Sequence, residues 1–240
     1  MLSSRVSADR GRWARARIKP VGSHMNTDRL VDLLSANLEP VGRVHFGRTL
    51  LVAILSGAAA AFVLMLVTVG PRTDLDSTIH LAWTAVKLLF AVTVIGTATP
   101  LLLRSMRPGL EEETRPGIIF LPFLSAIVAA LAMLLLVAPH TWSLMLRGAT
   151  PESPARCLLC IVFFAVVPFA ALIWAIRQGA TTRLSLSGAI AGVAAGGLGA
   201  AAYAFTCRSD TIPFIAVCYG ASMALCAFIG AQLGPRLLRW

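Results

Sequence analysis

Six apolar stretches, each about twenty residues long, follow one another through most of this chain and constrain its fold more than any other feature. They lie at residues 50–69, 80–102, 118–137, 157–176, 184–205 and 212–233. About 20 apolar residues in a helix are enough to cross a hydrocarbon core of about 30 Å. Composition agrees, because 57% of the residues are hydrophobic and only 13% are charged. The sequence therefore predicts an all-α membrane protein with a six-helix transmembrane bundle, and it excludes a soluble core.

The basic residues are distributed by side of the membrane and are not gathered into a surface for phosphates. The net charge of +10 therefore does not indicate a nucleic-acid partner. If residues 26–49 are cytoplasmic, most arginines fall in segments on that side, among them Arg43, Arg104, Arg177 and Arg236. The positive-inside rule then predicts a multi-pass protein, surrounded by membrane lipids, with both termini in the cytoplasm.

The chain divides into three parts. Residues 1–25 are basic and irregular and lack the apolar region of a secretory signal. We favour a start codon assigned too far upstream over a disordered basic tail or an expression-tag remnant. Residues 26–49 form a short cytoplasmic segment, and residues 50–240 form the transmembrane domain.

The cytoplasmic segment predicts an amphipathic helix at residues 28–39, with Thr27 as its N-cap and Pro40 after its end. One face is apolar and the opposite face is acidic. The apolar residues are Leu30, Val31, Leu33, Leu34 and Leu38, and the polar ones are Asp28, Asp32, Ser35 and Glu39. An acidic polar face suits a groove in a protein partner better than an anionic membrane surface. The alternative is a cap that packs against the bundle.

A stripe of small residues marks the fifth span. Gly188, Gly192 and Gly196 lie on one side of a helix, and Gly230 and Gly234 repeat the spacing in the sixth span. Small residues let helix backbones approach closely in membranes. We expect these two helices to pack against each other, or against a second copy of the chain in a homodimer.

Lys87 is the one acidic or basic residue well inside a span. An intramembrane charge is a functional hypothesis by default. Its side chain could extend outward to the interface, or it could pair with a loop carboxylate such as Asp74 or Asp76.

The cysteines carry the remaining chemical signal. Cys157 and Cys207 lie on the outer side in the predicted topology, where thiols can form a disulfide, react with oxidants or bind a soft metal. Cys160 lies one helical turn deeper, and Cys218 and Cys226 have the positions of apolar packing residues. The outer His80 and His140 show no ligand spacing with these sulfurs, so we predict neither a metal site nor a cofactor.

The sequence contains no catalytic signature, such as a zinc-protease or hydrolase motif or a phosphate-binding loop. We therefore predict that the protein is not an enzyme. Signalling across the membrane is the simplest use of an acidic helix and outward-facing cysteines. The alternatives are a small transporter for metals or lipophilic compounds, and a membrane scaffold subunit.

Motifs spread from Met25 to Trp240 match a known family. They are Met25-Asn26-Thr27-Asp28-Arg29-Leu30-Val31-Asp32-Leu33-Leu34, Glu39-Pro40-Val41, Lys87, Arg156-Cys157-Leu158-Leu159, Pro168, the Gly-rich fifth span, Tyr203, Cys207-x-x-Asp210-x-x-Pro213-Phe214-Ile215, Tyr219 and Arg236-Leu237-Leu238-Arg239-Trp240. With these residues the chain resembles the NrsF-like polytopic anti-sigma factors of proteobacteria. The family pattern often has Ser in place of Cys160 and Trp in place of Cys218.

The resemblance implies a protein of the bacterial inner membrane that holds an extracytoplasmic-function sigma factor inactive and releases it under thiol-reactive stress. Carried over by position, Cys157 and Cys207 are the sensing pair, and we add Cys160 as a candidate. The sigma-binding candidates lie in the amphipathic helix: Asp28, Leu30, Val31, Asp32, Leu34 and Leu38. We expect its acidic face to contact a basic surface of the sigma factor while its leucines fill an apolar groove.

Overall fold

The computed structural model describes residues 46–71, 78–106, 116–136, 154–179, 181 and 183–238. Within these ranges the regular structure is helical, with no strand, and six helices are long and apolar enough to cross a membrane. They are α1 (Phe46–Thr68), α2 (Thr78–Ser105), α3 (Leu121–Leu136, preceded by a 3₁₀ turn at Pro116–Phe120), α4 (Pro154–Arg177), α5 (Leu184–Tyr203) and α6 (Ile212–Leu237). The prediction of six such helices is confirmed. The predictions for residues 1–25, the helix at 28–39, and Asp74, Asp76 and His140 lie outside the described residues.

Helix α5 forms the centre of the bundle. It packs against α6, α4, α2 and α1, and most of its residues are buried. Its sequence consists largely of glycine and alanine. Because these residues have little or no side chain, neighbouring backbones approach α5 closely on several sides, and close packing of this kind holds membrane helices together.

The glycines of α5 are the points of closest approach. A Cβ atom added to Gly192 would lie 2.7 Å from the carbonyl carbon of Cys226 in α6, and one added to Gly196 would lie 3.2 Å from the Cα of Met223. Gly188 faces Gly230 and Gly234 of α6 in the same way. These contacts place the predicted glycine stripe between α5 and α6 of one chain.

Other faces of the bundle use the same device. A Cβ on Gly199 of α5 would lie 2.6 Å from the carbonyl oxygen of Ile161 in α4. In α1, a Cβ on Gly57 would lie 3.0 Å from the Cα of Pro168, a proline inside α4. Proline removes one backbone hydrogen bond of its helix, so Gly57 lets α1 pack closely at a point where α4 is locally weakened.

The bundle has two ends with different chemistry. At one end, here called the thiol end, α4 begins near Cys157, α5 leads into the loop at residues 204–211, and α6 begins at Ile212. At the other end, here called the arginine end, Arg104 and Arg177 lie in the last turns of α2 and α4 and Arg236 in that of α6. Arg177 Nε donates to the carbonyl oxygen of Leu237 at 2.6 Å, which ties the ends of α4 and α6 together.

Candidate functional site

The loop between α5 and α6 holds Cys207 inside the thiol end. A tight turn closes α5, where the backbone N–H of Cys207 donates to the carbonyl oxygen of Tyr203 at 3.0 Å. The hydroxyl of Thr206 donates to the carbonyl oxygen of Gly70 at 3.0 Å, and Gly70 follows the end of α1. Pro213 then starts α6 at a position that suits proline. Folded in this way, the loop turns Cys207 inward, and its side chain is fully buried.

A buried ion pair anchors the same loop to α2. The ammonium of Lys87 donates to the carbonyl oxygen of Cys207 at 2.9 Å and to Oδ1 of Asp210 at 2.8 Å. His80 Nδ1 donates to the other carboxylate oxygen, Oδ2, at 2.9 Å. Asp210 therefore joins Lys87, which is buried within α2, to the partly exposed His80, which lies about two helical turns earlier on the same face.

The predictions for Lys87 are corrected in two ways. Its side chain has 0% of its surface exposed, so the prediction that it extends outward to the interface is wrong. It pairs with a loop carboxylate, as the second alternative held, but the partner is Asp210 and not Asp74 or Asp76. Asp210 lies 123 positions further along the chain, and only the packing of α2 beside the α5–α6 loop brings the two together.

Three thiols meet where α4, the loop and α6 come together. Cys157, in the first turn of α4, lies within hydrogen-bonding reach of the thiols of both Cys207 and Cys218. Cys207 Sγ lies 3.9 Å from the carbonyl oxygen of Ser209. The structure thus brings together Cys157 and Cys207, the pair to which the resemblance pointed, and adds a third sulfur.

Cys218 is buried in the core, as expected of a packing residue, but its thiol also lies within hydrogen-bonding reach of Cys157, which the sequence did not predict. Cys218 lies in a π turn at Ile215–Tyr219. A π turn inserts an extra residue into a helix and changes the directions of the side chains around it. Regular α-helical spacing, the only guide in the sequence, does not give the direction of Cys218.

The other two cysteines have different surroundings. Cys160 lies half-buried in α4 and packs against the core. Cys226 lies at the α5–α6 interface, where it contacts Gly192 and Gly196. Among the described residues, no group of three His, Cys, Asp or Glu side chains has a geometry that could hold a metal ion.

The charge balance around Cys207 favours its ionised form. Hydrogen bonding from the Cys157 thiol lowers the pKa of Cys207 to about 7, and the nearby Lys87 ammonium acts in the same direction, against the opposing effect of burial. A thiolate is the reactive form of cysteine toward electrophiles, disulfides and soft metals. We therefore expect Cys207 to be the first of the three thiols to react.

The sigma-binding candidates Asp28, Leu30, Val31, Asp32, Leu34 and Leu38 lie outside the described residues. Two features of the thiol site were missed from the sequence. The place of Asp210, three residues after Cys207 in the Cys207-x-x-Asp210 motif, is a signal for a role at the same site. Cys218 carried no such signal.

Comparison with known proteins agrees with the resemblance. Residues 34–240 match the NrsF family, described as negative regulator of sigma F. The chain is 32% identical over 216 residues to a probable anti-sigma-F factor NrsF of Azospira oryzae, covering 90% of this chain and 100% of that protein. It is 29% identical over 219 residues to the anti-sigma-F factor NrsF of Caulobacter vibrioides, with the same coverage of both chains. No solved structure matches. From its thiol-end motifs and from this match over most of its length, the chain belongs to the NrsF family.

Proposed function

We propose that this chain is an integral membrane anti-sigma factor. It holds an extracytoplasmic-function sigma factor, of the sigma F type, inactive at the cytoplasmic face of the bacterial inner membrane. It releases that sigma factor when Cys157 and Cys207 react. Family membership and the description of the two relatives as anti-sigma-F factors support the regulatory part of this proposal.

Exposed apolar side chains support insertion into the membrane. Leu136 of α3 is 88% exposed and Val67 of α1 is 79% exposed, and large apolar side chains cover much of the outer surface of the bundle. A soluble protein rarely leaves so much contiguous apolar surface in water. In a bilayer the same side chains contact lipid tails.

The arginine end supports the orientation. Arg104, Arg177 and Arg236 all lie at that end, and α1 begins there. Under the positive-inside rule this end faces the cytoplasm, on the same side as residues 26–49. The thiol end then faces the oxidising compartment, where a disulfide can persist.

The contact between Cys157 and Cys207 is the observation that carries the proposal. Oxidation by a quinone or a small disulfide removes two electrons and two protons from the two thiols and forms one S–S bond. That bond ties the start of α4 to the α5–α6 loop. A soft metal ion that replaces the two protons would tie the same elements together.

The cytoplasmic segment at residues 26–49 supplies the sigma-binding surface in this proposal. Asp28 and Asp32 contact a basic, DNA-reading surface of the sigma factor. Leu30, Leu34 and Leu38, with Val31 beside them, fill an apolar groove. This is the mode in which an amphipathic helix binds a groove in its partner.

The test is co-purification of the sigma factor with the detergent-solubilised full-length protein. Asp28→Arg with Asp32→Arg should abolish binding, because both substitutions place positive charge against a basic surface. The matched control is Asp74→Arg with Asp76→Arg, which makes the same charge change in the loop predicted on the opposite side and should leave binding intact. Equal binding by all three proteins would refute the proposed contact surface.

A second arm tests release. Treatment with diamide should elute the sigma factor from the wild-type protein but not from a Cys157→Ser, Cys207→Ser variant. Cys226→Ser, which removes a thiol from the α5–α6 interface, should elute like wild type. Elution that does not depend on Cys157 and Cys207 would assign sensing to another part of the chain, and a membrane scaffold would show no elution at all.

A further inference from the structure

Lys87 is a fully buried cation whose position has no packing explanation. Burying an ammonium is costly unless it is paired and hydrogen-bonded, so an apolar residue of similar size would fill the same space at lower cost. Charges inside membrane segments are accordingly rare. Lys87 meets the requirement by donating to two groups of the same loop, the carbonyl oxygen of Cys207 and the carboxylate of Asp210.

We propose that Lys87 is a positioning residue for Cys207: its ammonium, fixed by Asp210, holds the Cys207 backbone so that the thiol faces Cys157 and reacts as a thiolate. This proposal rests on the sensing role of Cys207 proposed above. It gives α2, which carries no cysteine, a role in the thiol chemistry through the position of Cys207.

The loop geometry supports the positioning role. Lys87 binds the segment at both of its ends, once at residue 207 and once at residue 210. The segment between these two contacts is short, so fixing both ends also fixes the direction of the Cys207 side chain. Thr206 adds one more hydrogen bond, to the carbonyl oxygen of Gly70, just before this segment. Loss of Lys87 would leave the Cys207 backbone without its contact to α2.

Charged and titratable groups reach Cys207 from each neighbouring element. Lys87 comes from α2 and Cys157 from α4, Tyr219 and Cys218 come from α6, and Asp210 lies in the loop itself. The charge of Asp210 is shared between Lys87 and His80. Of these groups, Cys157, Lys87 and Tyr219 lower the pKa of Cys207, while burial raises it. Removing the ammonium should therefore raise the pKa of this thiol.

The experiment measures alkylation of Cys207 in the full-length protein. Iodoacetamide is applied from roughly pH 6 to pH 10, a range that brackets the ordinary thiol pKa of about 8.5, and the modified peptide is quantified by mass spectrometry. The test variant is Lys87→Met with Asp210→Asn, which removes both charges so that neither remains buried alone. The control is Arg208→Gln, which removes an exposed cation next to Cys207 in sequence. Lys87→Gln with Asp210→Asn, in which two amides can bond to each other, is the second test variant.

In the wild type and in the control, the midpoint of the rate profile should lie near pH 7. In both test variants it should move upward toward the ordinary thiol value of about 8.5. Diamide should also form the Cys157–Cys207 disulfide more slowly in the test variants than in the control.

Each test variant is first checked by size exclusion for elution as a folded protein. A folded test variant whose midpoint equals that of the wild type would overturn the proposal. A change in the high-pH rate without a change in midpoint would do so too, because it would show altered access only. The measurement involves no sigma factor. The two proposals can therefore fail separately. Loss of sigma binding with a shifted midpoint would contradict the sigma-binding proposal alone, and an unchanged midpoint with intact sigma binding would contradict the role of Lys87 alone.

Discussion

Replacement of Gly192 by alanine should destabilise the bundle, although alanine is the better helix former. The added Cβ would lie 2.7 Å from the carbonyl carbon of Cys226 and 3.0 Å from the Cα of Ala227. Carbon atoms in contact prefer separations of about 3.5–4.0 Å. Both neighbours are backbone atoms of α6, so no side chain can rotate away. The two helices would have to separate by about 0.5–1 Å, as these two contact distances require.

The cost follows from that separation. A gap of about 0.5–1 Å forfeits a quarter to a half of the attraction between atoms that were in contact. It would open along the whole glycine stripe, because α5 and α6 are rigid over this length. Overpacking of this kind costs about 1–3 kcal/mol. For a chain of this size, each 1 kcal/mol lowers the melting temperature by about 2–4 °C.

Gly96→Ala is the matched control. Gly96 lies in the interior of α2, and a Cβ at this position would have no neighbour within 4 Å. The same substitution there should be neutral or stabilising by up to about 1 kcal/mol, the difference in helix propensity between glycine and alanine. Thermal unfolding of the detergent-solubilised proteins, followed by loss of monodisperse protein on size exclusion, separates the two variants. Equal melting temperatures for Gly192→Ala and Gly96→Ala would refute the close-packing account.

Two further predictions concern the thiol end. Asp210→Asn should lower stability by about 3–5 kcal/mol, since it leaves the fully buried Lys87 without a counter-charge, and Lys87→Met with Asp210→Leu should recover most of the loss. Thermal unfolding measures the stability of both variants, and an Asp210→Asn protein as stable as the wild type would contradict the buried ion pair. Diamide oxidation should yield two linkages, Cys157–Cys207 and Cys157–Cys218, with the second accumulating in Cys207→Ser and with neither lost in Cys226→Ser. Peptide mapping under non-reducing conditions detects them, and absence of the second linkage in Cys207→Ser would show that Cys218 takes no part.

The fold was predictable because hydropathy and small-residue spacing depend on local sequence. Six apolar stretches give six helices whatever their arrangement, and the glycines at 188, 192 and 196 share a face whenever α5 is helical. The sequence did not decide whether these glycines contact the sixth helix of the same chain or a second copy of the chain. The structure shows α6 of the same chain, which presents Gly230 and Gly234 at matching heights.

The site was predictable only in part, because its contacts join distant segments. The partner of Lys87 depends on which loop lies over the start of α2, and sequence spacing carries no information on that. The direction of Cys218 depends on the π turn at Ile215–Tyr219, which interrupts the α-helical period. In both cases the geometry depends on a long-range contact or an irregular turn. The local sequence pattern identifies Lys87 and Cys218 but does not identify the residues that they contact.

The positions of α4 and α6 limit how a thiol reaction could affect the arginine end of the bundle. Both helices carry a cysteine of the cluster at the thiol end, and Arg177 joins them at the arginine end. Between the two ends, α6 packs against α5 at Gly192, where the two backbones are already in close contact. A disulfide between Cys157 and Cys207 would restrain the start of α4 relative to the loop that leads into α6, and the Arg177 contact joins the far ends of the same two helices. For signalling, the bundle needs two arrangements that the sigma factor distinguishes. A Gly192→Ala protein that binds the sigma factor and releases it on oxidation as wild type does would show that the signal bypasses this interface.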